Sequence, residues 1–381
     1  MDVLRRHRNL GAAPLSALLP ALLLSLSLAL SACHGPRGLE TAPAASATPA
    51  AQEERAEQVT RLVTPASPRG SALDVARIIT REAVDAHIYT LSADEMMGRD
   101  PFSPHIQLAE DYIAQQFRRA GLSEFPQFPD YRNRFTHEQR DRRNPDAPPV
   151  LYELTNIVGW VEGTDPVLKH EYILFGAHHD HIGVRGDTGD VIYNGADDNA
   201  TGTTAVLALA EYFAATRTNK RTLVFATFTA EERGLVGSRH LAANLPMEDG
   251  PLVAMINFEM IGKPAQDGSW SLMVLGPERS TLADIFRAAL GSDSPITLVD
   301  PLEHQVRYYN ASDNRAFDAQ GYITATLASP QSTDDPYYHT PDDRYEFLDV
   351  DYMTQVIRAV VDMTRTLVSG EATPVKKAPW G

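Results

Sequence analysis

Apolar residues recur at helical spacing where Ile106, Ala109, Tyr112, Ile113 and Phe117 share one face, and Gly121 follows as a stop. Further on the pattern changes period. Tyr172 to Gly176 is a short apolar run that ends in the polar cluster His178 to His181. Thr203 to Ala214 reads as a helix, and Thr222 to Thr229 as a strand rich in β-formers. Leu252 to Ile261 and Ser271 to Leu275 are further strands. A helix near Leu282 to Leu290, a strand at Ile323 to Ala328 and an amphipathic helix from Val350 to Val368 complete the series. Strands alternating with helices predict an α/β sheet covered on both faces. In such sheets ligands bind where loops leave the strand ends.

The first part of the chain has a different character. Arg5, Arg6 and Arg8 precede an apolar run from about Ala12 to Ala32, the layout of an export signal. The run is long enough to serve instead as an uncleaved membrane anchor. Leu30-Ser31-Ala32-Cys33 resembles the bacterial lipobox, which points to residues 1–32 as a lipoprotein signal peptide and to a lipid on Cys33. Residues 33–72 are rich in Ala, Pro, Ser, Thr and Glu and read as a flexible tether, since such a composition buries too little apolar surface to repay ordering. The expected globular domain spans residues 73–370, with a disordered tail at 371–381. These readings place the protein outside the cytoplasm, at the cell envelope, held to a membrane surface by its lipid.

Composition narrows the chemistry. Cys33 is the only cysteine, so neither an intramolecular disulfide nor a thiolate metal site is available. The formal charge of -16 argues against nucleic acid as a partner, because that affinity comes mainly from Lys and Arg. No Gly-x-Gly-x-x-Gly fingerprint or P-loop lysine is present.

Five segments carry His, Asp or Glu beside small residues at predicted strand ends or in loops. They are GAHHDHIG at 176–183, NGADDNATG at 194–202, FTAEERGLVGS at 228–238, INFEMIG at 256–262 and YYHTPDD at 337–343. Sites built from imidazole nitrogen and carboxylate oxygen are typical of catalytic zinc, and a close pair of metals needs a bridging carboxylate. Adjacent Glu231 and Glu232 would point in opposite directions along a strand. They can share a site only if the chain turns there.

The order and wording of these segments resemble the di-zinc aminopeptidases of metallopeptidase family twenty-eight, over roughly residues 85 to 365, including LSADEMMGRD and AEDYIAQQFRRAGL upstream. The resemblance implies a zinc-exopeptidase-like fold with a mixed, mostly parallel central sheet. It also implies a cofactor of two Zn²⁺ ions per chain and removal of N-terminal residues from peptides by a hydroxide held between the ions. His178 would bind the first zinc, with Asp180 accepting a hydrogen bond that orients it. Asp197, the first acid of the Asp-Asp pair, would bridge both ions. Glu231 would be the general base and Glu232 a ligand of the second zinc. Glu259 would complete the first zinc and His339 the second. Apart from the resemblance, the position of Tyr338 just before His339 makes its hydroxyl the candidate donor to the developing oxyanion.

Two positions depart from the family pattern. Glu259 stands where Asp is common, so the longer side chain could shift or loosen the first zinc. Asn314 replaces an imidazole in Ser312-Asp313-Asn314, which removes any role for that group in contacting substrate. His179 and His181 are read as orienting or surface residues, because the His-x-Asp register selects His178. Asp198 is read as shaping the turn, and Asp342 and Asp343 as holding the loop of His339. His240, on a short predicted helix, is read as packed or exposed. Two rivals remain: a single-zinc glutaminyl cyclase-like transferase, and a non-catalytic binding ectodomain on a peptidase fold.

Overall fold

The computed structural model describes residues 72–378 apart from 141–143, 145 and 248. The signal, lipobox and tether expected before residue 72 lie outside the described residues. Ten strands are present among those described: β1 (Arg132–Gln139), β2 (Val150–Val161), β3 (Tyr172–His178), β4 (Gly183–Val184), β5 (Ile192–Tyr193), β6 (Thr222–Phe228), β7 (Leu252–Glu259), β8 (Ser271–Leu275), β9 (Thr297–Val299) and β10 (Thr324–Ala328). Eight of them form one sheet in the order β1-β2-β6-β3-β7-β10-β8-β9. The central block β6-β3-β7-β10 is parallel throughout, while β2 joins β6 and β8 joins β10 in antiparallel fashion.

The central strands are buried on both faces, which is why they read as continuous apolar runs. Alternate residues of β3 and β6 go to opposite layers. Ile173, Phe175, Leu223 and Phe225 join the larger core, and Leu174, Val224, Ala226 and Phe228 the smaller one. The larger core is closed by helices α2 (Arg81–Leu91), α3 (Ile106–Ala120), α4 (Gly202–Thr216), α6 (Leu282–Leu290) and α8 (Val350–Val368), which follow the short α1 (Ala72–Ile78). The smaller core is closed by α5 (Val236–Ala243) and α7 (Asn314–Ala319), through Leu241, Ala316 and Phe317. Helix α3 ends at Gly121, whose φ of 79° supplies the left-handed stop. Asp349 caps α8 by accepting the Tyr352 N–H at 2.9 Å.

The sheet has the mixed, mostly parallel form with helices on both faces that the sequence implies. The hydrophobic pattern does not announce β1 and the first half of β2. Charged and polar side chains alternate along β1 at the sheet edge, and Val150 and Leu151 are exposed. The tail expected to be disordered from residue 371 is held as far as Lys377, whose N–H donates to the Arg279 carbonyl at 2.9 Å. Arg221 donates to the Ala372 carbonyl at 2.7 Å, and the Thr281 N–H donates to the Val375 carbonyl at 3.0 Å. Among the described residues no helix is long and apolar enough to cross a membrane.

Candidate metal centre

The parallel strands deliver the chemistry to one end of the sheet. His178 is the last residue of β3 and Glu259 the last of β7. Strand β6 stops at Phe228, and the chain then turns through Ala230 at φ 56°, so that Glu231 and Glu232 both reach the site. His339 lies in the long loop after β10 and also adopts a left-handed φ, of 57°. Positive φ in non-glycine residues is uncommon and clusters where a fold holds functional groups.

Two donor groups share one carboxylate. In the first, His178 Nε2 lies 3.3 Å from both Asp198 Oδ1 and Glu259 Oε1. In the second, His339 Nε2 lies 3.1 Å from both Asp198 Oδ2 and Glu232 Oε1. His181 adds its Nδ1 at 2.9 Å from Glu232 Oε1 and 3.7 Å from Asp198 Oδ2. The shared acid is therefore Asp198, which corrects the expectation for Asp197. Asp197 is turned away: its Oδ1 accepts the Gly262 N–H at 2.9 Å, and its Oδ2 faces Lys263 Nζ at 3.6 Å. The helical turn Ala196–Thr201 is broken by non-helical backbone at Asp198 and Asn199, so no periodicity decides which of the two adjacent acids faces inward.

The donor set fits divalent cations. Oxygen and imidazole nitrogen atoms of His178, Asp198 and Glu259 lie within 4.8 Å of one another, as do those of His181, Asp198 and Glu232. Both ring nitrogens of His181, Oε1 of Glu232 and Nε2 of His339 are buried without a hydrogen-bond partner. Such atoms cost about 1–3 kcal/mol each when left uncompensated. A cation against His181 Nδ1, Glu232 Oε1 and His339 Nε2 offsets that cost for three of them.

Charge follows the same arrangement. Burial opposes ionisation of Asp198, but the imidazoles of His181, His178 and His339 hold its carboxyl well below the ordinary value. Burial opposes a charge on His178 too, yet Glu259, Glu231 and Asp198 raise it well above the usual imidazole range. Burial pushes the Glu231 carboxyl well above its ordinary value, helped by the charges of Asp313, Glu259 and Glu232 against the pull of His178. Burial also lifts Asp180 and Asp313 to about 7.

Supporting contacts fix these groups. Asp180 accepts the backbone N–H of Glu231 at 2.9 Å and of Glu232 at 3.4 Å. His178 Nδ1 lies 3.1 Å from the Asp180 carbonyl oxygen and 3.8 Å from its carboxylate, so the backbone is its nearer partner. Glu259 is anchored from behind: Ser312 Oγ donates to Oε2, and Asn257 Nδ2 donates to Ser312 Oγ at 2.7 Å. The longer side chain at this position is thus accommodated by Ser312. Tyr338 is half exposed, its ring stacked on that of His339 with centroids 3.8 Å apart.

Sequence reasoning missed Arg99. Its buried guanidinium donates to the carbonyls of His179, Leu91, Asn194 and Gly195 at 2.6–2.8 Å. It ties the loop after β3 to the loop that carries Asp198. The only signal was its place in LSADEMMGRD, where nothing marks a residue for contacts about eighty positions away. His179 is buried against Thr227, with burial lowering its pKa to about 3, and is a neutral structural group. His240 stacks on Phe135, and Asn314 donates to the Tyr309 carbonyl at 2.8 Å.

Residues 156–364 match the family model described as Peptidase family M28. The chain is 27% identical over 261 residues to a "Probable zinc metalloprotease" from Pyrenophora tritici-repentis, covering 58% of each. It is 28% identical over 224 residues to leucine aminopeptidase 1 of Trichophyton equinum, covering 56% of this chain and 57% of that protein. The match thus spans less than two thirds of these relatives. The aminopeptidase from Aneurinibacillus sp. strain AM-1 superposes with a TM-score of 0.58 at 18% identity, over 78% of this chain and 96% of the other, and shares the fold. With more than half of its length matched, and with strand-end His, Asp and Glu groups gathered as described, the chain belongs to peptidase family M28.

Proposed function

We propose that the protein is a metal-dependent aminopeptidase that uses two zinc ions to release N-terminal residues from peptides with a free N-terminus. The observation that carries this reading is Asp198, whose two oxygens face separate donor groups. Family membership and the aminopeptidase relatives support the substrate class. His178, Asp198 and Glu259 would hold one ion; Asp198, Glu232 and His339 would hold the other. Bound there, the ions supply Lewis acidity, which lowers the pKa of water towards neutrality and polarises a carbonyl.

The chain's own residues handle the proton. Glu231 sits beside both groups with its backbone fixed by Asp180, and its carboxylate is the candidate base that takes a proton from water and returns it to the leaving amine. Tyr338, half exposed beside His339, is the candidate hydroxyl for the developing oxyanion. Glu259, whose Oε1 faces His178 at the site, is the group beside which a substrate ammonium would dock. The lipobox-like Leu30-Ser31-Ala32-Cys33 supports export and anchoring of this domain at the bacterial envelope through a lipid on Cys33; mass spectrometry of the processed N-terminus tests that part.

The reading is tested by metal analysis together with chromogenic aminoacyl substrates, with and without chelator. Two equivalents of metal per chain and chelator-sensitive release of amino acid are expected. One equivalent with pyroglutamate formation would replace this reading with a cyclase. No turnover in the fully loaded protein would replace it with a binding ectodomain.

A further inference from the structure

His181 lies three residues beyond His178 and is fully buried. Its Nδ1 approaches Glu232 Oε1 to 2.9 Å and Asp198 Oδ2 to 3.7 Å, and its ring meets that of His339 edge-on with centroids 5.6 Å apart. The 2.9 Å approach to Glu232 is an ion-pair contact, and neither ring nitrogen has a hydrogen-bond partner. A buried imidazole without hydrogen bonds is costly. Here its nitrogen sits beside oxygens of Glu232 and Asp198 that also lie 3.1 Å from the His339 nitrogen.

The space for this ring is built by the fold. Gly195 adopts φ +57°, and a Cβ there would come within 2.4 Å of His181 Cγ. The His181 backbone N–H donates to the Arg99 carbonyl at 3.1 Å, and the Arg99 side chain holds Gly195 through its carbonyl at 2.8 Å. One residue therefore holds both the backbone of His181 and the glycine that makes room for its ring.

We propose that His181 is a direct ligand, through Nδ1, of the ion held by Asp198, Glu232 and His339, an inference that rests on the two-ion reading above. The two positions then differ in kind. The first has one imidazole, His178, and two acids; the second has two imidazoles, His181 and His339, and two acids. Imidazole suits zinc, copper, nickel and iron, so the second position is the tighter and fills first when metal is scarce.

The test uses the full-length protein, stripped with chelator and reloaded with two equivalents of Co²⁺. Each ligating imidazole then shows one strongly hyperfine-shifted exchangeable N–H proton, because the contact shift passes through the metal–nitrogen bond. Three such resonances are expected in the unaltered protein and two in His181→Asn. The variant should also hold the tighter ion at least about tenfold more weakly in competition with a chelating indicator. Two resonances in the unaltered protein with both ions bound would overturn the role of His181 and leave the two-ion reading standing. Binding of fewer than two Co²⁺ ions would overturn both. The count in the unaltered protein decides the matter even if the variant does not fold.

Discussion

The two carboxylate oxygens of Asp343 accept the backbone N–H groups of Asp197 and Asp198, at 2.9 and 3.0 Å. Asp343 lies four residues after His339, so one short loop supplies both a donor to the second group and the clamp on the shared acid. Its carbonyl also accepts the Ala196 N–H at 3.1 Å, adding a third contact to the same turn.

Asp343→Asn leaves one good acceptor for two N–H groups and removes a buried charge from beside Lys263. Supporting residues of this kind typically change metal affinity or activity by 10–100-fold. We expect a loss of about that size in kcat/KM, recovered in part by raising the zinc concentration, with an unchanged far-ultraviolet circular dichroism spectrum. Full activity at limiting zinc would remove the clamp role.

The adjacent acids make a paired test. Asp198→Asn should abolish binding of at least one ion, since the neutral amide gives up the anionic bridge. Asp197→Asn should keep both ions, because its carboxylate faces Gly262 and Lys263 and not the imidazoles. Its cost should appear in stability, about 1–3 kcal/mol from weakened buried contacts, with Lys263 still paired to Asp335. Metal analysis and denaturant unfolding of the two variants check this, and the reverse pattern would restore Asp197 as the bridge.

These two residues also mark how far the sequence could be read. Strands β3, β6, β7 and β10 were legible because burial on both faces leaves an uninterrupted apolar run, and α8 because its apolar residues keep helical spacing. The segments bearing His178, Glu231, Glu232, Glu259 and His339 were legible through their wording and strand-end position. Which of Asp197 and Asp198 faces inward was not, because it depends on a tertiary contact with Asp343. The gathering of His181 with Glu232, and the span of Arg99 across two loops, arise from contacts between segments distant in sequence that no local pattern encodes.

Glu231→Gln preserves shape and removes the proton acceptor. General acid–base groups contribute about 10²–10⁴-fold, so kcat should fall within that range while two ions remain bound. Turnover at the unaltered rate would exclude Glu231 as the proton carrier.

Away from the metal groups, Glu110 of α3 is buried, and burial raises its pKa from 4.5 to about 7, partly offset by Arg132. The folded form therefore holds a proton that the unfolded form has lost between these values. The stabilising contribution is complete below the unfolded pKa and disappears as pH rises through about 7. Glu110→Gln should flatten the fall in stability over this window and make the protein more stable at about pH 8, by roughly 1–3 kcal/mol. Urea unfolding at several pH values checks the sign, and a variant less stable than the parent at alkaline pH would contradict it.

Glu259 offers the sharpest contrast with the commoner aspartate. Its Oε1 faces His178 at 3.3 Å while its Oε2 accepts a hydrogen bond from the Ser312 hydroxyl, itself held by Asn257. The side-chain length and the serine act as a unit: one oxygen is fixed so that the other points at the site. Glu259→Asp shortens the chain by one methylene and cannot keep both contacts without movement of the backbone. Ser312→Ala keeps the length but frees Oε2. Both should weaken the ion held with His178, by about 10–100-fold as for other residues that orient ligands, and should leave the ion at Glu232 and His339 in place. In the double variant the losses should not add, because each substitution breaks the same linkage. Stepwise zinc titration of the single and double variants reads this directly, and additive losses would show that Ser312 and Glu259 act separately.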